Sequence, residues 1–346
     1  MITGMDRVRA AATGAPSDRI PVFCNLLDQG ARTLGVAPRR FYNDGALVAE
    51  AQLRLRETYG YDNVWAFFYI GKEIRLFGAQ EVQFCEDGPP VLEGALVKEP
   101  RDIDALEVPD DLENHPEFRE QLTCLRILRA EVGGRYPICV LVMAAATLAS
   151  MLMGMDAWMD LLMFGPADLR DRLLGKCSTF SRRLAAAYRA AGADLLAYSS
   201  PFTSTDMVPL KTLQEVTLPW LERDVDADDG DGLVYFCALS RVVGSLGTVL
   251  GRRRFAGVYL GPEDDIAAAK LVIAGRALTV GTIDDIKMCR WSEDEVRSEV
   301  GRLVLAGKPG GKFVLNTAIM PLAVPERNIH AYVDAACACG RWEDGR

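Results

Sequence analysis

Leu233-Val234-Tyr235-Phe236-Cys237-Ala238-Leu239-Ser240 is a short apolar run that follows the acidic loop Asp224–Asp231. It reads as a buried strand, and it ends in tyrosine, cysteine and serine rather than in more aliphatics. A buried strand with that ending delivers chemistry to one end of a sheet. What its neighbours deliver beside it decides which chemistry.

The same pattern recurs on both sides. Upstream, Tyr136–Met143 and Asp194–Ser199 read as strands, with helices over Leu148–Phe164, Pro166–Ala191 and Val208–Glu222. Downstream, Phe255–Leu260, Ala277–Thr282 and Lys312–Asn316 read as strands. They alternate with helices near Val243–Leu250, Asp264–Ala274, Ser292–Leu305 and Pro325–Cys337. Nearer the N-terminus, Arg19–Leu26 and Asn63–Tyr69 supply two more strands around a helix at Asp44–Tyr59. A short helix, Met5–Thr13, precedes them, and Gln80–Pro90 reads as a hairpin with a Gly-Pro-Pro turn. Strands alternating with helices imply a parallel sheet covered on its outside. Eight of them favour a closed (β/α)8 TIM barrel with an N-terminal helical extension over an open doubly wound sheet. No G-x-G-x-x-G follows the first strand, which lowers the dinucleotide-binding alternative. With no repeat or low-complexity linker, residues 1–346 are expected to form a single domain.

Composition narrows the function. Of 346 residues, 49% are hydrophobic and 25% charged, the profile of a soluble globular protein with a large core. A net charge of −9 argues against nucleic acid or an anionic membrane as partner. Arg252-Arg253-Arg254 is the one dense basic cluster and reads as a solvated helix end. The longest apolar stretch, Val140–Met155, falls short of the ~18–20 unbroken apolar residues of a membrane span. It reads as a buried strand running into a core helix. Nine scattered cysteines, without a C-x-x-C pair or a signal peptide, suggest free thiols in the cytoplasm. The two histidines, His115 and His330, leave little material for a histidine base or a histidine-rich metal site.

The active site of such a barrel lies at the C-terminal ends of its strands. Those ends supply Asn25 and Asp28, then Phe68 and Tyr69 with Lys72 and Glu73 beyond, Met143, and Tyr198 with Ser199. They continue with Tyr235 and Cys237, Tyr259, Thr282 with Asp284, and Asn316 with Thr317. This rim has aromatic walls and a few carboxylates, and it is poor in cations.

Several stretches resemble the uroporphyrinogen decarboxylase superfamily, nearest its corrinoid-linked methyltransferases: methylcobalamin:coenzyme M methyltransferases and the first methyltransferases of O-demethylase systems. The opening Arg7-Val8-Arg9-Ala10-Ala11 through Asp18-Arg19-Ile20-Pro21-Val22 is similar to the family's N-terminal signature. Gly60-Tyr61-Asp62, Leu76-Phe77-Gly78-Ala79, Gly88-Pro89-Pro90 and Val108-Pro109-Asp110 follow in the family's order. Ala191-Gly192-Ala193-Asp194 precedes the fourth strand, Val280-Gly281-Thr282-Ile283-Asp284 resembles a G-N-x-D motif, and Pro325-Glu326-Arg327-Asn328-Ile329 resembles the closing P-x-E-N-I. The resemblance covers nearly the whole chain; each motif alone is weak, and their order makes it specific.

The resemblance implies a methyltransferase that moves a methyl group between a small substrate (methoxylated aromatic, methylamine or thiol) and a corrinoid carried by a partner protein. It also allows a homodimer. The decarboxylase branch carries R-Q-A-G-R after the first strand to bind propionates, whereas Asn25–Arg32 here holds one arginine and an added acid. Decarboxylation is therefore disfavoured, and a non-catalytic corrinoid- or tetrapyrrole-binding member stays open beside it. The thiol-methylating branch holds zinc through H-x-C after the fifth strand and a distant cysteine. The matching positions here are Tyr235, Cys237 and, near the eighth strand, Ala318. One of three ligands remains, so zinc at Cys237 is doubtful. The expected roles are then Tyr235, Asp284 and Glu73 in catalysis, with Asn25, Phe68, Tyr69, Tyr198 and Asn316 holding substrate. Each has a plainer reading: Tyr235 as barrel packing, Cys237 as a small buried hydrophobe, Asp284 as a helix cap.

Overall fold

A computed structural model describes residues 2–78, 81–85, 87–226 and 231–342. Ala79 and Gln80, together with residues 227–230 of the acidic loop, lie outside the described residues. Seven parallel strands form one sheet: β1 (Val64–Trp65), β4 (Ile138–Met143), β5 (Leu195–Ser199), β6 (Leu233–Phe236), β7 (Gly257–Tyr259), β8 (Leu278–Ile283) and β9 (Phe313–Thr317). Two short strands, β2 (Val82–Gln83) and β3 (Val91–Leu92), pair antiparallel as the predicted hairpin. Strand order follows chain order around the sheet, as right-handed β-helix-β units require.

The expected first strand, Arg19–Leu26, is extended but forms no regular ladder. It closes the sheet between β9 and β1. On the β9 side it is a backbone match: the Phe23 amide donates to the Leu315 carbonyl at 2.8 Å and the Leu315 amide to Pro21 at 3.1 Å. On the β1 side side chains replace most of the ladder. Apart from the Asp62 amide donating to the Val22 carbonyl at 2.7 Å, the bonds come from buried polar groups. Asp62 accepts from the Val22 amide, and Asn63 both accepts from the Cys24 amide at 3.0 Å and donates to its carbonyl at 3.1 Å. Trp65 Nε1 donates to the same carbonyl, and Gln52 links the Leu26 carbonyl to the Trp65 amide. Pro21 and this pairing explain why eight expected strands become seven plus a bridging segment.

The N-terminal extension plugs the opposite end of the barrel. Thr3 and Asp6 form a capping box at the start of the helix Gly4–Thr13. A Cβ on Gly4 would lie 2.4 Å from the Asp62 carbonyl, so only glycine permits that approach. Arg7 and Arg19 both reach the buried Asp62, tying the helix to the seam. Above it the barrel is filled: the void ringed by Val8, Phe23, Trp65, Cys139, Val234 and Val314 is about 40 Å³ and almost wholly apolar.

The helical layer follows the expected pattern with two local departures. The single helix expected over Leu148–Phe164 is two, Ala145–Met153 and Met155–Phe164, broken at Gly154 with φ 84°. The helix after β5 contains a π-turn over Leu213–Thr217. No described helix is long and apolar enough to cross a membrane.

Glu73 belongs to this outer layer. It sits in a 3-10 turn, Lys72–Phe77, that packs on the helix Pro116–Val132. Its carboxyl is 1% exposed, without a hydrogen-bond partner, and close enough to Tyr188 to raise that phenol. Its neighbours are the helix Pro116–Val132, Tyr188 and Tyr69 rather than the inward residues of the later strands. Burial lifts its carboxyl from 4.5 to about 7.

Two measurements follow from this architecture. Asn63→Ala leaves the Cys24 amide and carbonyl short of partners at the seam, and should lower unfolding free energy by about 2–4 kcal/mol in urea titrations; a loss under about 0.5 kcal/mol would refute the seam's weight. Glu73 holds a proton in the fold that the unfolded chain releases, so its contribution is complete below about 4.5 and is lost as pH rises through about 7. Glu73→Gln should make the fall in melting temperature across that window shallower, and an unchanged profile would count against it.

Candidate active site

Period-two alternation and strand register divide the side chains into inward and outward sets. The interior void fixes the parity: Cys139, Ala197, Val234, Val280 and Val314 all line it. Following each strand to its C-terminal end, the inward positions are Met143, Ser199, Phe236, Tyr259, Thr282 and Asn316. On the bridging segment Phe23 points inward, so two residues on Asn25 does as well. Asn25 is held by its backbone, its amide donating to Thr317 Oγ1 at 2.9 Å and its carbonyl accepting from Met320 at 3.0 Å.

This end of the barrel collects unpartnered polar atoms. Asn25 Oδ1, Thr282 Oγ1 and both side-chain atoms of Asn316 are buried without hydrogen bonds. Thr282 and Asn316 are register partners on β8 and β9. Buried polar groups are normally satisfied, since each unmet one costs roughly 1–3 kcal/mol. Several at one strand-end face form a site built to receive polar groups of a ligand. Phe236 and Tyr259 meet edge to face beside it, ring centroids 5.0 Å apart.

The two acids that follow β8 are placed differently. After Ile283 the chain turns into a short helix, Asp285–Met288, and the alternation ends. Asp284 becomes the N-cap, accepting from the Lys287 amide at 3.0 Å and pairing with Lys287 Nζ at 2.8 Å. Asp285 is the buried one, 1% exposed with Oδ2 unpartnered. Burial, reinforced by the negative charge of Asp284, pushes its carboxyl up to about 7 against backbone donors that include the Ala318 amide. The signal available in the sequence was the pair Asp284-Asp285 after a strand: the first of two such acids caps, freeing the second.

The opening strand gives the clearest corrections. Tyr235 and Tyr198 are register partners on the outward face. The Tyr235 hydroxyl donates to the Thr203 carbonyl at 2.9 Å and its ring lies 5.4 Å from that of Phe255. It is fully buried, and burial raises its phenol well above the ordinary value. It packs the helical layer and does not reach the mouth, and Tyr198 shares that face. Phe68 is wholly buried. Tyr69 lines a separate cleft of about 460 Å³ with Arg39, Asn43 and Arg75. Of the residues expected to hold substrate, the structure brings Asn25 and Asn316 together at the strand ends.

Zinc does not fit these residues. Cys237 Sγ donates to the Ser200 carbonyl at 3.0 Å and faces Thr203, and burial pushes its thiol up to about 12. His115 accepts from the Glu117 amide as a helix cap, and His330 packs against Tyr59 with the rings tilted. Among the described residues no group of three or more His, Cys, Asp or Glu is placed to hold a metal ion.

Comparison with known proteins agrees with the barrel. The chain is 25% identical over 340 residues to the methylcobamide:CoM methyltransferase MtaA of Methanosarcina barkeri, covering 95% of this chain and 96% of that one. It is 26% identical over 233 residues to the methylcobamide:CoM methyltransferase MtbA of Methanosarcina mazei, covering 65% and 66%. A solved methyltransferase from Methanosarcina mazei superposes with a TM-score of 0.83 at 22% identity, covering 97% and 98%. A B12-independent methionine synthase from Shewanella shares the fold more distantly, with a TM-score of 0.58 at 11% identity over 85% of each chain. With residues 3–338 matching the description uroporphyrinogen decarboxylase (URO-D), this chain belongs to the URO-D family.

Proposed function

We propose that this protein is a corrinoid-dependent methyltransferase, taking a small methylated substrate at the barrel mouth and exchanging the methyl group with a corrinoid on a partner protein. The observation that carries the reading is the set of unpartnered atoms of Asn25, Thr282 and Asn316 at the strand ends. In a chain related over most of its length to methylcobamide:CoM methyltransferases, that is where a methyl-bearing ligand would sit.

The chemistry of the site supports this over decarboxylation of a polycarboxylate. No cation belongs to the inward set at the mouth, so several carboxylates there would be left unpaired. Amide and hydroxyl groups instead suit a small substrate with one or two hydrogen-bonding atoms, and Phe236 with Tyr259 offers an aromatic flank. After β6, β8 and β1, Leu239, Ile286 and Ile70 expose apolar side chains. A partner carrying a corrinoid would cover such a rim, excluding water while the methyl group moves.

Mixing the protein with reduced corrinoid and a panel of methoxylated aromatics, methylamines and methylthiols should convert the cobalt spectrum to that of the methylated form for at least one donor. No change with any donor, and no loss of methyl from methylcobalamin to any thiol, would reject the reading. Asn316→Ala should raise KM at least about tenfold, as expected for losing a buried hydrogen-bonding group. Tyr235→Phe should leave turnover within about twofold while lowering stability by about 1 kcal/mol; a large drop in turnover would restore the tyrosine to the mechanism.

A further inference from the structure

We propose that Asp285 is the proton donor to the leaving oxygen or nitrogen when the methyl group passes from a methylated substrate to a reduced corrinoid. The inference rests on the methyltransferase reading above and gives it a direction, from an O- or N-methyl donor to cobalt.

The geometry is specific to this chain. Asp285 bridges the ends of β8 and β9, with backbone donors, among them the Ala318 amide, on its carboxyl and Oδ2 left without a partner. On those same two strands Thr282 and Asn316 form the inward pair with unpartnered atoms, three residues before Asp285 and two before Ala318 respectively. A carboxyl so enclosed can keep a proton and spend it on a bound ligand. The titratable groups acting on it or feeling it are Asp284 before it, Cys289 one turn later, Tyr259 from β7 and Tyr332 from the closing helix Glu326–Cys339. None of these is a cation that would hold it ionised, and Lys287 is committed to Asp284. Burial sets the carboxyl at about 7, so both forms are populated near neutrality.

The site also lacks the alternative. Thiol methylation needs the sulfur held as a thiolate, and the residues at the zinc position of relatives here are an outward tyrosine, a hydrogen-bonded thiol and an alanine. Demethylation of an ether or amine needs the departing atom stabilised, which one neutral acid supplies. The Co(I) electron pair forms the cobalt–carbon bond as the carbon–oxygen or carbon–nitrogen bond breaks. That bond's electrons stay on the heteroatom, which takes the Asp285 proton. Cobalt ends formally as Co(III), the product leaves as a neutral phenol or amine, and the carboxylate regains its proton from water.

Leaving-group acidity separates a proton donor from a structural residue. With Asp285→Asn, transfer from a methoxybenzene bearing electron-donating groups should fall about 100-fold or more, while transfer from nitroanisole, whose phenolate leaves unaided, should fall less than about fivefold. The wild-type kcat/KM should decline as pH rises through about 7, and the variant should lose that limb. Equal losses for both ethers would make Asp285 a structural residue and overturn the proposal, as would no loss at all. Difference infrared spectra add a readout without turnover: Glu73 and Asp224 also titrate near neutrality, so the protonated-carboxyl band of the wild type should lose one of its components in Asp285→Asn, and a band unchanged in the variant would contradict the assignment. Failure of the wild type with every methyl donor, despite that band, would instead locate the error in the methyltransferase reading.

Discussion

The barrel depends on how its first strand is joined to its second. A parallel barrel has no free edge only if every neighbour pair is bonded. Here one join is made largely by side chains. Asp62, Asn63 and Gln52, all within 1% of full burial, supply the donors and acceptors that a regular ladder would have supplied. Such bonds are costly to leave half-made, because each removed partner strands a backbone group in the core. The seam is therefore specific as well as stabilising. It sets the height of the bridging segment against β9, and through it the position of Asn25.

That placement links architecture to chemistry. Asn25 reaches the strand ends because its backbone is fixed on both sides, by Thr317 Oγ1 and the Met320 amide. Its side chain is thereby left unspent. Thr282 and Asn316 are unspent for a related reason: regular ladders satisfy their backbones and put their side chains inward, where no protein group answers them. The opposite end is closed by the helix Gly4–Thr13 and packed with apolar side chains. The same barrel is thus apolar at one end and polar at the other.

The structure also redistributes the titratable groups. Glu73, Asp224 and Asp285 are each lifted to about 7 by burial, yet they differ in surroundings. Asp224 caps the helix Ala145–Met153 through the Ala145 amide, and Glu73 lies among helices. Of the three, Asp285 is the one that directly follows a barrel strand and takes a backbone donor from the end of the next. A raised carboxyl marks burial; its place in the barrel decides whether it can meet a substrate.

The sequence by itself determined the alternation of strands and helices, the barrel, the family resemblance and most helix limits. These rest on local periodicity, caps and turn residues, which act over a few positions. It also placed Asn25 and Asn316 at the strand ends, since period-two counting holds while a strand lasts. What only the tertiary structure decided lies where a strand ends or bends. Tyr235 read as chemistry because it closes an apolar run, but its face depends on register with Tyr198 and β7. Asp284 caps and Asp285 is buried because one turn of helix follows Ile283 at once. Glu73 packs on a helix because the chain after β1 forms a 3-10 turn rather than continuing the strand. The bonds of Asn63 and Gln52 across the seam join residues roughly 25 to 40 positions from their partners, and no local pattern encodes which side chain will stand in for a missing ladder.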